Sequence, residues 1–385
     1  MDTKAVAQDT VHTSDEALVA LSHRIHGHPE LCFEEERAAE WTAAALNEAG
    51  FAIETGVADL PTAYVASYGS GPLTVGICAE YDALPGVGHA CGHNVIAAAA
   101  VGAGLALAPL ADELGITVKV FGTPAEEGGG GKIIMLDNGV FAGVHAAMMV
   151  HPAPTELDRF PCLAVSHVNV HYHGKAAHAS AFPELGINAA DALTVAQTSI
   201  GLLRQHIRQT ERIHGIVTHG GDAPNVVPES TSGKWYIRSS TLAELAELEP
   251  KVHRCFEAGA MATGCSYEVT EASPKYSEMK DDDALRALYR ANAEELGRVF
   301  PDLGGLGDRI VGSTDMANVS LAIATIHPML GLGCYPVSNH QPEFAAFCAT
   351  PTADKAALDG AIAMAWTVID AATNTEVRES LLARA

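Results

Sequence analysis

Positive charge is scarce in this chain: 23 Lys and Arg stand against 47 Asp and Glu, a formal net charge of −24 over 385 residues. A surface of that sign excludes nucleic acid and anionic membranes as partners, and says little about the substrate, because a local site can be basic inside an acidic protein. The eight cysteines (32, 78, 91, 162, 255, 265, 334, 348) contain no CxxC pair, which excludes a disulfide scaffold and fits reduced thiols in a cytoplasm. No apolar run is long enough for a comfortable membrane span. The longest, 95–110, is rich in Ala and Gly, is interrupted by Pro109, and reads as a buried helix. The first ten residues have neither an apolar core nor a basic leader, so no signal peptide is expected. HExxH is missing, which disfavours a mononuclear zinc peptidase of that kind. What is present is a core-forming composition, 48% hydrophobic and 18% charged, in a length that fits two or three domains.

The chain is organised around 79–94, Ala-Glu-Tyr-Asp-Ala-Leu-Pro-Gly-Val-Gly-His-Ala-Cys-Gly-His-Asn. An apolar strand is expected over 73–78 before it, and Asn94 is expected to cap the buried helix after it. Between them Glu80, Asp82, His89, Cys91 and His93 put five metal- or proton-handling groups on a Gly- and Pro-punctuated loop. Such a loop, feeding a helix from a strand's carboxyl end, is where open α/β sheets place ligands. Gly92 lets the backbone bend so that Cys91 and His93 can aim at one ion.

Along the rest of the first half, helices are expected over 15–28 and 34–46, and strands over 63–67, 116–121 and 146–150, with helices between the later strands. That alternation argues for a mainly parallel sheet with helices on both faces. From about residue 165 the pattern changes. A strand with His167, Asn169, His171 and His173 on a wet face opens the order β-α-β-β-α-β, the arrangement of a small ferredoxin-like α+β domain. Its three histidines read more readily as a solvated face than as a metal site. The expected division is therefore 1–164 with 277–385 for one domain and 165–276 for an inserted one. Helices over 284–300 and 351–372, a Gly-rich loop over 304–312 and a strand over 329–335 complete the chain.

Four places share one placement, past a strand of the larger domain: Cys91/His93, Glu126/Glu127, His151 and His340. Soft and hard ligands converging at strand ends suit a dinuclear zinc- or manganese-type site. Of two adjacent glutamates, one can bind metal while the other takes a proton from water, and the four glycines after Glu127 permit the sharp turn this needs. The run Gly-Gly-Gly-Gly-Lys is not a P-loop, because the required first Gly falls at Glu126 and Ile133 occupies the Ser/Thr position.

Asp-Ala-Leu-Pro…Gly-His-Ala-Cys-Gly-His-Asn, Pro-Ala-Glu-Glu-Gly, Gly-Lys-Ala-Ala-His-Ala-Ser, Gly-Ser-Thr-Asp-Met-Ala-Asn-Val-Ser and the late His-x-x-Glu-Phe occur in one order over nearly the whole chain. Together they resemble the M20 family of metallopeptidases and amidohydrolases, most nearly its subfamily D of aminoacylase-like, aminobenzoyl-glutamate and dipeptide hydrolases. The resemblance implies that Cys91, His93, Glu127, His151 and His340 hold two divalent ions, zinc or manganese foremost, with cobalt and nickel also fitting. It implies Glu126 as the general base and His178 as a lid histidine that steadies the oxyanion in a partner subunit. Asn225 and Arg238 match substrate-contacting positions, Arg238 through a carboxylate, and Asp82 fits a group that orients a ligand. A homodimer formed through the inserted domain is implied as well. The substrate implied is an N-acyl or N-aroyl amino acid, or a short dipeptide with a free carboxylate. The alternative is a catalytically inactive metal-binding sensor of the same fold. Glu80, where this branch commonly carries Asp, and Asn94 after Cys-Gly-His point toward its dipeptidase and aminobenzoyl-glutamate side.

Overall fold

The computed structural model describes residues 2–304 and 311–384. They divide into two compact units, Met1–Pro161 with Met279–Ala385, and Cys162–Glu278.

In chain order the first unit begins with helices α1 (Thr3–Thr13), α2 (Asp15–His26) and α3 (Glu36–Glu48), then strands β1 (Ala52–Thr55), β2 (Tyr64–Tyr68) and β3 (Leu73–Ala79). There follow α4 (His93–Leu107), α5 (Ala111–Leu114), β4 (Ile116–Gly122), α6 (Gly131–Asp137), β5 (Ala146–Met148) and β6 (His151–Ala153). The second unit holds β7 (Ala164–His173), α7 (Ala189–Leu203), β8 (Arg212–His219), β9 (Ser230–Ser239), α8 (Leu242–Thr263) and β10 (Ser266–Glu271). The chain then returns with α9 (Asp283–Glu295), α10 (Met316–Ala322), β11 (Ala324–Ile326), β12 (Met329–Gly331), α11 (Pro342–Phe347), α12 (Pro351–Thr373) and α13 (Thr375–Leu382).

The first unit's main sheet runs β1-β2-β4-β3-β5-β11. β4, β3, β5 and β11 are mutually parallel, and β1 and β2 add an antiparallel edge. β3 is buried almost throughout, as a central parallel strand between two layers must be. α4 and α12 pack together in the core. The helical stretch His93–Leu114, which runs through α4 and α5, and α12 are each long and apolar enough to cross a membrane, yet 89% and 83% of their most apolar windows are buried inside the fold. Ala and Gly at eight of the fifteen α4 positions let neighbours approach closely: a Cβ on Gly102 would meet Leu18 and Ala361 at 2.9 Å.

The second unit's sheet runs β10-β7-β9-β8, antiparallel throughout. Val168, Val170 and Tyr172 of β7 join Trp235, Ile237, Leu245, Leu248 and Phe256 in a core of its own.

Several expectations need correcting. Asn94 does not cap α4. The cap is Gly92 at φ 81°, and Asn94 lies inside the helix, its Nδ2 donating to Ser22 Oγ and the Cys348 carbonyl at 2.8 Å. A Cβ on Gly92 would stand 2.8 Å from Pro152, so glycine is required there twice over. The expected strand over 146–150 breaks, and His151 opens β6, which pairs in parallel with β12. His167 is not on a wet face. It is buried against Tyr236 and Tyr276, with Ser273 at 2.7 Å. The Gly-rich loop expected over 304–312 falls largely outside the described residues.

Candidate metal centre

The loop from β3 to α4 and the turn after β4 are locked together by carboxylates. Glu35, wholly buried, accepts from the backbone N–H of Phe33 and of Ala125 and from Thr62. Burial pushes its carboxyl up to about 7. The Ala125 bond holds that residue at φ 59°, a left-handed conformation a non-glycine residue adopts at a cost of about 1–3 kcal/mol. The strained turn precedes Glu126 and Glu127, which fall in different ligand groups, Glu126 with Glu80 and His93, Glu127 with Cys91 and His340. His340, at φ 70°, is held in the same way, its N–H donating to the Ala90 carbonyl.

The structure brings together five of the side chains singled out above. Cys91 Sγ lies 3.5 Å from both His151 Nε2 and His340 Nε2. Glu127 Oε1 lies 3.9 Å from His93 Nε2 and 3.6 Å from His340 Nε2. Two ligand groups result, Cys91/His93/His151 and Cys91/Glu127/His340, and the thiol belongs to both. Asp82 ties the loops to each other: Oδ1 is 2.9 Å from His93 Nδ1, and Oδ2 accepts the Glu127 N–H at 2.9 Å. Burial opposes charge on this aspartate, but the facing imidazole wins and holds it down to about 2. Burial likewise disfavours a charged His93, and Asp82 outweighs it. Buried His151 is depressed to about 3 with His327 beside it, and its Nδ1 faces the Pro152 carbonyl, so that Nε2 is the nitrogen turned toward Cys91.

These residues fit divalent ions on a structural criterion. His93 Nε2 and Glu127 Oε1 are buried without a hydrogen-bond partner, an arrangement that costs about 1–3 kcal/mol per atom unless something positive stands between them. Thiol, imidazole and carboxylate donors together suit a borderline ion such as zinc.

Glu126 belongs to a deeper group with Glu80 and His93, all three buried. Burial raises its carboxyl well above the usual range, and the facing Glu80, Glu127 and Asp315 add to the effect. Behind it lies a network that sequence reasoning missed. Lys132 Nζ stands 2.5 Å from Glu80 and 2.6 Å from Asp315, and all three side chains are sealed from solvent. Burial alone would neutralise this lysine, but its two carboxylates hold it charged. The signal was the lysine after the four glycines, weighed only as a phosphate loop. His327, 5.4 Å from the His151 ring and with both nitrogens unpartnered, carried no sequence signal. His89 is buried against His26 and joins none of the groups.

His178, Asn225 and Arg238 lie in the second unit. His178 and Val226 form a bridge between two loops, and Ala179 N–H donates to the Asn225 carbonyl. His178 Nδ1 accepts from the Ser180 and Ala181 N–H groups at 3.3 and 3.2 Å, which places its proton on Nε2. Arg238 sits on β9 beside His214 and the Tyr236 ring. Eight residues of strand separate it from Ser230 at the β9 start, roughly 27 Å. Within this unit the structure therefore joins His178 to Asn225 and sets Arg238 apart.

A parallel sheet with this donor set at its strand ends defines a metal-dependent hydrolase, and comparison with known proteins makes the amide bond its target. The chain belongs to peptidase family M20/M25/M40, whose profile matches residues 76–350. It is 37% identical to a mouse Xaa-Arg dipeptidase over 95% of this chain and 88% of that protein. It is 32% identical to one of the subunits of the p-aminobenzoyl-glutamate hydrolase of Escherichia coli, over 75% of this chain and 66% of that one. In fold it is similar to a dinuclear metal-binding peptidase of the M20 family from Bacillus subtilis, with a TM-score of 0.63, 22% identity, and 91% and 98% of the two chains covered.

Proposed function

We propose that this protein hydrolyses the amide bond of short dipeptides or N-acyl and N-aroyl amino acids bearing a free carboxylate, with Glu126 as general base. The observation that carries the reading is the placement of two adjacent carboxylates: Glu127 shares a ligand group with Cys91 and His340, while buried Glu126 stands 3.9 Å from His93 Nε2. Cys91, His93, Glu127, His151 and His340 would hold two divalent ions, zinc or manganese, with Asp82 orienting His93. When bound, these ions supply Lewis acidity toward water and the scissile carbonyl.

Glu126 takes the proton from the attacking water. Its raised affinity for protons, caused by burial among carboxylates, lets it hold that proton and pass it to the leaving amine. His178, whose Nδ1 accepts from two backbone N–H groups, presents Nε2 as the donor to a developing oxyanion. Its distance from Arg238 along the same unit supports service to a partner subunit in a homodimer. Arg238 is assigned to the substrate carboxylate and Asn225 to a polar group of the substrate. Similarity to the Xaa-Arg dipeptidase over almost the whole chain makes dipeptides with a carboxy-terminal basic residue the first substrates to try. The reduced thiols fit a cytoplasmic setting.

The test is amine release from Xaa-Arg dipeptides, p-aminobenzoyl-glutamate and N-acetyl amino acids by metal-loaded wild type and Glu126→Gln. Turnover by the wild type alone is expected, and equal turnover by both would remove Glu126 from its role.

A further inference from the structure

The wet face of the second unit's sheet carries a donor cluster outside the family site. Along β7, alternate residues share a face, so His171 and His173 point the same way, and their ring centroids lie 4.8 Å apart with the planes tilted by 35°. Across the antiparallel pair, Glu268 of β10 sits directly opposite His171, and Ser266 opposite His173. One ligand atom from each of His171, His173 and Glu268 lies within 4.8 Å of the other two. Among the described residues, neither the Glu268 carboxylate nor the His173 ring has a hydrogen-bond or ion-pair partner, whereas His171 Nε2 has Ser230 Oγ at 3.3 Å.

From these contacts we infer that His171, His173 and Glu268 form a second, peripheral site for a borderline divalent ion of the zinc class. Tetrahedral zinc with bonds of about 2.0–2.1 Å needs ligand atoms about 3.4 Å apart. Half-exposed and exposed side chains close the remaining gap by small rotations, without moving the sheet. Two imidazoles and one carboxylate select zinc, nickel or copper over magnesium or calcium. Water fills the fourth position, since the face is open to solvent. The cluster is separate from the candidate carboxylate-binding position: Val165 pairs with Arg238 and His171 with Ser232, six residues along the strand, roughly 20 Å. An ion here clips β10, the edge strand, to its neighbour β7, and stabilises the unit in proportion to its occupancy.

The test uses full-length, tag-free protein with its catalytic centre already loaded, titrated with Zn²⁺ by calorimetry, and with Cu²⁺ by electron paramagnetic resonance. The wild type is expected to take up one more zinc per chain than His171→Asn/His173→Asn, and its copper spectrum to show coupling to two imidazole nitrogens. Glu268→Gln, a single and milder change, is expected to weaken zinc binding without changing fold or hydrolytic turnover. Equal zinc uptake by the wild type and the double variant, or a copper spectrum unchanged between them, overturns the site.

Discussion

The two histidine-bearing regions differ in what surrounds them. In the first unit, His93 and His151 are buried beside Glu126 and Glu127, and His93 Nε2 and Glu127 Oε1 are buried without a hydrogen-bond partner. On the second unit's sheet, His171 and His173 lie at the surface and water can satisfy them at all times. The comparison teaches that burial, more than ligand type, makes a cation obligatory. The inner cluster pays an electrostatic penalty while empty, and the outer one only gains when filled.

The largest expected effect falls on the inner cluster. Glu126→Gln should lower kcat by about 10²–10⁴-fold with metal content unchanged, checked by steady-state kinetics beside elemental analysis. Next comes the ion network behind it. Lys132→Met leaves Glu80 and Asp315 buried without their counter-charge and should destabilise the protein by about 3–5 kcal/mol in urea unfolding. In the second unit, Lys275→Met removes a partly exposed partner of Glu249 and should cost less than about 1 kcal/mol. Similar losses from the two substitutions would erase the distinction between the regions. Asp82→Asn keeps the shape but removes the charge that fixes His93, and should weaken metal binding about 10–100-fold in a competition titration.

A further effect is one of pH. Burial depresses His327 to about 4, against an ordinary value of 6.5. Below about pH 6.5 the unfolded chain therefore binds a proton the folded chain refuses, and stability falls until about pH 4, where the folded form takes it too. His327→Gln in the metal-free protein should flatten that fall, as read from urea midpoints at pH 7 and pH 4.5.

The legible parts of the molecule were those with a local cause. β3 announced itself as a continuous apolar run, β7 by alternation, and the ligands by their position after strands. α1 was missed because its apolar positions are few, with only Ala7 and Val11 buried. β1 was missed because a mostly exposed edge strand needs no pattern of its own. His167 looked wet by parity, yet Tyr236 and Tyr276 cover it, a fact of tertiary packing. Asn94 had the chemistry of a cap, but the helix begins two residues earlier, where only glycine fits. Lys132 and Asp315 are 183 residues apart, and nothing local couples them.

One measurement reaches the centre of the proposal: amine release from an Xaa-Arg dipeptide followed while bound metal is removed and then restored, with metal per chain counted at each step. Activity should vanish with the ions, return at two equivalents per chain, and fail to return in Glu126→Gln carrying the same two. Undiminished hydrolysis by the metal-free chain, or by the loaded Glu126→Gln protein, would contradict it.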